Sequence, residues 1–255
     1  MQIYLFGQGS LGKVIKKNLL INSSTEVIIF PLRETDIDEY LKVLFDKKRS
    51  KIIIDLMDPN TVGEDTDNGL ISKAKTIREN LSNVQNLRQY IYISTASFYK
   101  SSLKNIDENS LLKFKSLSPY EKLKLNNEKK LIKAKVPLTI CRLPNIWGTK
   151  SDKKSFFYDL FDAHNKKSKI KYFDNDRVVI SFLNVNDFIS LIIIIISKRI
   201  FGVVNLSTNS FDTRYNLKAR VNLDKLESIK NTLGVRLIST KLVSSKYIKD
   251  TRIKF

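Results

Sequence analysis

A single cysteine, Cys141, leaves this 255-residue chain without an intrachain disulfide, and such cysteine usage fits a reducing compartment. Glycine (8) and proline (5) are scarce, which excludes collagen-like and low-complexity tracts. Only one histidine is present and no zinc-ligand cluster, so no metal is expected. Long apolar runs are missing too. The longest, Leu191 to Ile196, falls far short of the roughly 20 residues needed to cross a bilayer and reads as a buried helix or strand. Met1 leads straight into Gln2-Ile3-Tyr4-Leu5-Phe6, a strand pattern, so no signal peptide is expected. These absences point to a soluble, cytoplasmic protein with no membrane partner.

Acidic residues are also few: 26 against 45 Lys and Arg, a net charge of +19. Such a charge has two readings. It can serve a polyanionic partner, or it can reflect lysine filling solvated faces. The lysines are spread along the chain in pairs such as Lys16-Lys17, Lys129-Lys130 and Lys166-Lys167, with no stripe or tail. No aromatic-interleaved RNA-binding motif accompanies them, so no nucleic-acid partner is expected.

What is there in quantity is short β-branched runs alternating with amphipathic segments. Strands are predicted at 3–6, 26–30, 51–55, 90–95 and 138–142, and helices at 11–20, 36–45, 68–87 and 118–134. This alternation predicts βαβ units. Strands that are apolar on both faces, such as Val27-Ile28-Ile29 and Ile52-Ile53-Ile54, are expected in a parallel sheet covered by helices on both sides. The fold class is therefore α/β, a Rossmann-type doubly wound parallel sheet with a small C-terminal substrate-binding lobe. Residues 1–144 form the dinucleotide-binding domain, joined by later strands from about 178–207, and 145–255 are mainly the lobe. Helices are also expected at 155–165, 185–198 and 222–233, and strands at 178–183 and 203–206.

Gly7-Gln8-Gly9-Ser10-Leu11-Gly12 is a G-x-G-x-x-G that follows the first strand and opens the first helix. Its first glycine permits the turn, its second lets the backbone approach a pyrophosphate, and its third lets helix and strand pack closely. The free N–H groups and positive dipole end of the helix then face the phosphates. Gly7, Gly9, Ser10, Leu11 and Gly12 are thus assigned to the cofactor. The second strand ends Phe30-Pro31-Leu32-Arg33-Glu34, without the acid that usually binds the ribose of NAD. Arg33 is placed to meet a 2′-phosphate, which favours NADP(H) with NAD(H) still open. The other reading makes Arg33 a solvated loop residue and Glu34 or Asp36 a helix cap.

Tyr120-Glu121-Lys122-Leu123-Lys124 gives Tyr-x-x-x-Lys, and i, i+4 spacing puts both side chains on one helix face. The ammonium can then lower the pKa of the phenol and hold the nicotinamide ribose. In a chain with ten tyrosines and this much lysine, one such spacing is expected by accident. Ser94-Thr95-Ala96-Ser97-Phe98-Tyr99 adds weight, because it ends the preceding strand at the edge where such folds bind ligands. There Thr95 can hydrogen-bond a carbonyl oxygen.

These segments, in this order, resemble the extended short-chain dehydrogenase/reductases, the family of nucleotide-sugar epimerases, dehydratases and reductases. Arg142-Leu143-Pro144-Asn145-Ile146-Trp147-Gly148 is similar to the family's Arg-Pro-x-Asn-Val-Tyr-Gly. Phe182-Leu183-Asn184-Val185-Asn186-Asp187 is similar to its Phe-Ile-His-Val-Asp-Asp, and Glu128 trails the Tyr-x-x-x-Lys as the family's helix often has it. The resemblance implies Thr95, Tyr120 and Lys124 as catalytic residues, Ser97 and Asn145 at the substrate, and Asn80 as a backbone prop. The chain also departs from the pattern. Its glycine loop is one residue tighter, and Ile180-Ser181 replaces an Arg-Asp pair that contacts the nucleotide. Leu56-Met57-Asp58-Pro59 replaces an apolar-Ala-Ala segment, which alters the adenosine-side pocket. Ala96-Ser97 lacks the acid pair of the 4,6-dehydratases.

The leading expectation is an NADPH-dependent reductase of a 4-keto-6-deoxy nucleotide sugar. A nucleotide-sugar epimerase with tightly held NAD and a catalytically silent dinucleotide-binding regulator are the alternatives. An RNA-binding role resting on the charge comes last. The expected partner is a nucleotide sugar, and a homodimer is admitted. His164 is read as a surface residue, and Trp147, Phe156 and Phe157 as lobe packing.

Overall fold

The computed structural model describes residues 2–19, 25–59, 68–113, 115–148, 156–222, 224–225, 235–239 and 242. In chain order its elements begin β1 (Gln2–Phe6), α1 (Ser10–Asn18), β2 (Glu26–Phe30), α2 (Ile37–Phe45), β3 (Lys51–Asp55), α3 (Asn68–Glu79) and β4 (Leu87–Thr95). They continue with β5 (Asn105–Ile106), α4 (Pro119–Lys133), β6 (Leu138–Leu143), β7 (Asn145–Trp147) and α5 (Phe156–Asn165). The last are β8 (Val179–Asn184), α6 (Val185–Lys198), β9 (Gly202–Asn205), β10 (Phe211–Thr213), α7 (Arg214–Asn222) and β11 (Arg236–Leu237).

Side chains alternate across a strand, so an all-apolar strand feeds two cores at once. Ile3 and Leu5 of β1, with Ile52, Ile54, Ile91 and Ile93, pack on one face against Ile15 of α1 and Phe188, Ile192 and Ile195 of α6. Tyr4 and Phe6, with Ile53, Tyr90 and Tyr92, pack on the other against Tyr40 of α2, Ile77 of α3 and Leu131 of α4. The result is a six-stranded sheet in the order β2-β1-β3-β4-β6-β9, parallel throughout. The doubly wound sheet read from the sequence is thus borne out. The chain reverses its direction of travel between β1 and β3, and the crevice outside the carboxyl ends of those strands is where such sheets place ligands.

Of the later strands in 178–207, only β9 joins this sheet. β8 pairs with β7 in parallel and β10 antiparallel, forming a second sheet whose apolar side meets Phe157, Leu160 and Leu217. The apolar run at 191–196 is helical and lies in α6. The helix expected over 68–87 is shorter: α3 stops at Glu79, a 3-10 turn spans Leu81–Asn83 and β4 begins at Leu87. Asn80, Ser82, Asn83 and Asn86 break it, and Asn86 takes φ 50°, a left-handed conformation that asparagine tolerates better than most residues.

Of the helix expected over 222–233, Asn222 ends α7 and Asp224 and Lys225 are not helical, while 223 and 226–234 lie outside the described residues. α7 hid from a search for apolar periodicity because its inner face is polar and paired. Asn216 donates to Asp212 Oδ1 at 2.7 Å, and Lys218 meets Asp176 Oδ2 at 2.6 Å. No helix among the described residues is long and apolar enough to cross a membrane.

Candidate active site

A cavity of about 340 Å³ opens at the β1/β3 reversal, lined by the glycine loop, the ends of β3, β4 and β6, and α4. Gly9 is the N-cap of α1 and, lacking a side chain, caps no N–H, and the first intrahelical bond is Lys13 N–H to Gly9 O at 3.1 Å. The N–H groups of Ser10, Leu11 and Gly12 precede that bond, so the α1 ladder leaves them without an acceptor at the cavity wall.

Two glycines are dictated by sterics. Gly7 has φ +111°, and a Cβ on it would lie 2.6 Å from Leu56 O. One on Gly12 would lie 2.8 Å from Gly7 O. A Cβ on Gly9 meets nothing within 4 Å. That open space would let a pyrophosphate approach the backbone, so the loop fits a dinucleotide. Gly7→Ala is therefore expected to lower stability by about 1–3 kcal/mol. Gly9→Ala should leave the melting temperature unchanged and weaken dinucleotide binding. Thermal unfolding and calorimetric titration on both variants separate the two effects. A Gly9→Ala protein that binds as well as wild type would remove the loop from the cofactor site.

Helix α4 is started by a full capping box. Ser118 Oγ accepts from Glu121 N–H at 3.2 Å, Ser118 N–H donates to Glu121 Oε2 at 2.8 Å, and Pro119 takes the first helical position. Lys113 Nζ adds an ion pair to Glu121 at 3.0 Å. This fixed start points the half-buried Tyr120 and buried Lys124 into the cavity, with the ammonium 5.8 Å from the Tyr120 ring centroid. One turn further on, Glu128 clamps the helix to the sheet. Ser94 Oγ donates to Glu128 Oε1 at 2.5 Å, and Arg142 of β6 pairs with Glu128 Oε2 at 2.8 Å. Arg142 also donates to Tyr99 OH at 2.7 Å, and Tyr99 donates to Asn205 Oδ1 at 2.9 Å, so the floor of the site is one buried network.

Thr95 closes β4 at the cavity, beside Tyr120 and Lys124. Ser97 is exposed, gives its N–H to Thr95 Oγ1 at 3.1 Å, and is not among the residues lining the cavity. Asn145 lines it and donates to Ser181 O at 3.0 Å. Arg33 lies exposed in the turn after β2, outside that lining, and Asp36 stands at the N-cap of α2 without a side-chain bond. Asn80 follows α3, its amide donates to Thr76 O at 2.9 Å within its own helix end, and it is not among the residues lining the cavity. His164 is exposed, and Trp147 stacks on Phe161 at 5.7 Å within the lobe.

Within the Leu56-Met57-Asp58-Pro59 segment that departs from the family pattern, the Asp58 carboxylate lies on Lys124. Asp58 Oδ2 lies 3.1 Å from Lys124 Nζ, and Asp58 Oδ1 takes Arg78 Nη1 at 2.8 Å and Asn127 Nδ2 at 3.1 Å. Burial pushes the Asp58 carboxyl up. The Lys124 and Arg78 charges, with the Tyr92 hydroxyl, override that and hold it well below the usual carboxylate range.

A parallel doubly wound sheet, a glycine loop at its reversal and a Thr–Tyr–Lys cluster across the crevice define an NAD(P)-dependent oxidoreductase. Residues 35–207 match the NAD dependent epimerase/dehydratase family, and the chain belongs to that family. This bears out the resemblance to nucleotide-sugar epimerases and reductases. The match begins after the glycine loop, which rests on its own geometry. No curated protein sequence matches the chain.

Among solved structures, the UDP-glucuronic acid 4-epimerase of Bacillus cereus in complex with NAD is 19% identical, with 97% of this chain and 91% of that one covered and a TM-score of 0.65. A dTDP-4-dehydrorhamnose reductase of Clostridium acetobutylicum is 19% identical over 94% of this chain and 84% of that one, TM-score 0.69. The Bordetella bronchiseptica enzyme WbmG in complex with NAD is 14% identical over 93% and 85%, TM-score 0.67. At these identities the likeness is one of fold.

Proposed function

We propose that the protein is a cytoplasmic, NADPH-dependent reductase of a 4-keto-6-deoxy nucleotide sugar. The observation that carries this reading is the meeting of Thr95, Tyr120 and Lys124 in one cavity with the open N-terminus of α1. NADPH, when bound, supplies the hydride that reduces the carbonyl carbon. Gly9, Ser10, Leu11 and Gly12 would hold the pyrophosphate, and Lys124 the nicotinamide ribose. Thr95 hydrogen-bonds the carbonyl oxygen, and Tyr120 gives that oxygen its proton.

Asn145 on β7 stands between this cavity and the lobe and would contact the sugar. A second cavity of about 690 Å³ in the lobe could take the nucleotide: Phe156, Phe173 and Arg214 line it, together with Asp159, Asp174 and the Lys218–Asp176 pair. Arg214 Nε is buried there without a hydrogen-bond partner, a donor that a diphosphate oxygen would satisfy. The test follows the nicotinamide absorbance of NADPH mixed with the protein and dTDP-4-dehydrorhamnose or other 4-keto nucleotide sugars. Oxidation with none of them, while NADPH still binds, would replace this reading with a silent dinucleotide-binding protein.

Arg33 carries the choice of NADPH. It is the first cation in the turn after β2, a strand that ends in Phe30 and not in an acid. A charge-assisted bond to the 2′-phosphate is worth about 1.5–3 kcal/mol, a preference on the order of tenfold or more. Calorimetric titration should show NADPH binding that much more tightly than NADH, and Arg33→Ala should abolish the difference. Equal affinities in the wild type would favour the epimerase with NAD.

A further inference from the structure

The charged groups lining the first cavity are Asp58 and Lys124 alone among the described residues. Both are buried, with side chains 2% and 7% exposed. An ammonium has three N–H groups. One donates to Ile93 O at 2.6 Å and a second faces Asp58 Oδ2 at 3.1 Å, which leaves one for the cavity. Asp58 is itself fixed from three elements: by Arg78 of α3, by the Tyr92 hydroxyl of β4 and by Asn127 of α4. Four polar contacts to one carboxylate exceed what a chance surface ion pair collects, and they hold it where Lys124 and Tyr120 meet.

We infer that Asp58 is a positioning residue for the proton donor: it orients Lys124 and offsets its charge, so that Tyr120 faces a neutral pair instead of a bare cation. A bare ammonium draws the proton off a neighbouring phenol and favours a base, whereas a balanced pair favours a phenol that gives its proton to a carbonyl oxygen. The pair thereby favours the protonated phenol, the form that serves ketone reduction, and leaves the equilibrium between ketone and alcohol unchanged. This rests on the assignment of Tyr120 as proton donor made above.

The other charged groups near Tyr120 and Lys124 are committed elsewhere. Arg78 bridges Asp58 and Asp55, Glu121 pairs with Lys113, and Glu128 pairs with Arg142. From the glycine loop, Gly9, Ser10, Leu11 and Gly12 bring no charge, and neither do Leu143, Pro144, Asn145 and Ile146.

The test needs no substrate. Ultraviolet phenolate titration of the protein minus that of its Tyr120→Phe variant isolates one tyrosine among ten. Asp58→Asn should lower the Tyr120 midpoint, because it removes a negative charge and leaves the Lys124 cation unbalanced beside the phenol. Lys124→Met should raise it by a similar amount, the double variant should return to the wild-type midpoint, and Asp58→Glu should not move it. Coincident midpoints for wild type and a folded Asp58→Asn overturn the inference. Should Asp58→Asn fail to fold, an unmoved midpoint in Lys124→Met overturns it equally. The outcome is independent of which nucleotide sugar reacts, so a failed substrate panel and a failed charge balance are read separately.

Discussion

Replacing Tyr120 by phenylalanine should lower kcat by about 10²–10⁴-fold while dinucleotide affinity stays within about twofold of wild type. The substitution removes one hydroxyl and keeps the ring, so the cap of α4 at Ser118 and the Glu128 clamp are untouched. The hydroxyl lines the cavity and is the group proposed to give the carbonyl oxygen its proton. Positioned proton transfer of this kind is a transition-state effect, so the loss should fall on kcat and on kcat/KM alike. Lys124→Ala should behave differently, weakening the dinucleotide as well, because its remaining N–H faces the cavity. Steady-state kinetics with NADPH and calorimetric titration on both variants make the distinction. Near-normal turnover in Tyr120→Phe would show that the proton comes from elsewhere.

The parts of this site that could be read in the sequence are those fixed by local spacing. The glycine loop announces itself because a tight turn and a close strand approach demand glycine at 7 and 12, whatever lies elsewhere in the chain. Tyr120 and Lys124 share a face by helical periodicity, and Ser118-Pro119 with Glu121 marks the start of their helix. The six-stranded sheet was legible for a similar reason, since strands buried on both faces leave continuous apolar runs.

What spacing does not encode is a partner far along the chain. Asp58 and Lys124 are brought together by the pairing of β3 with β4 and the packing of α4 on β4, and Asp58 was noticed only as a departure from a pattern. The same holds for β8, whose apolar residues look the same whether it extends the main sheet or pairs with β7 and β10.

Arg78→Met should be the most destabilising single substitution at the site, costing about 3–5 kcal/mol at neutral pH. Arg78 is 8% exposed and bridges two buried carboxylates. It meets Asp55 Oδ2 through Nε at 2.7 Å and Asp58 Oδ1 through Nη1 at 2.8 Å, and its guanidinium lies over the Tyr92 ring at 5.3 Å. Methionine fills much of the volume and restores none of the charge. Among the described residues Asp55 then keeps the Tyr90 hydroxyl at 2.6 Å and the Met57 N–H at 3.0 Å. For a chain of this size the loss corresponds to a fall in melting temperature on the order of 10 °C.

The pH dependence gives a second readout with a definite sign. Asp58 is held below its unfolded value, so its contribution is fully present above the ordinary carboxylate pKa of about 4 and is lost as pH falls below it. Wild type therefore loses more on acidification than a variant that has already lost half of the charge pairing. The two melting curves should lie far apart at pH 7 and approach each other below about pH 4. Calorimetric scans across that range decide the matter. A variant whose melting temperature stays within about 2 °C of wild type at neutral pH would mean that the Asp55–Arg78–Asp58 bridge does not hold β3 to α3.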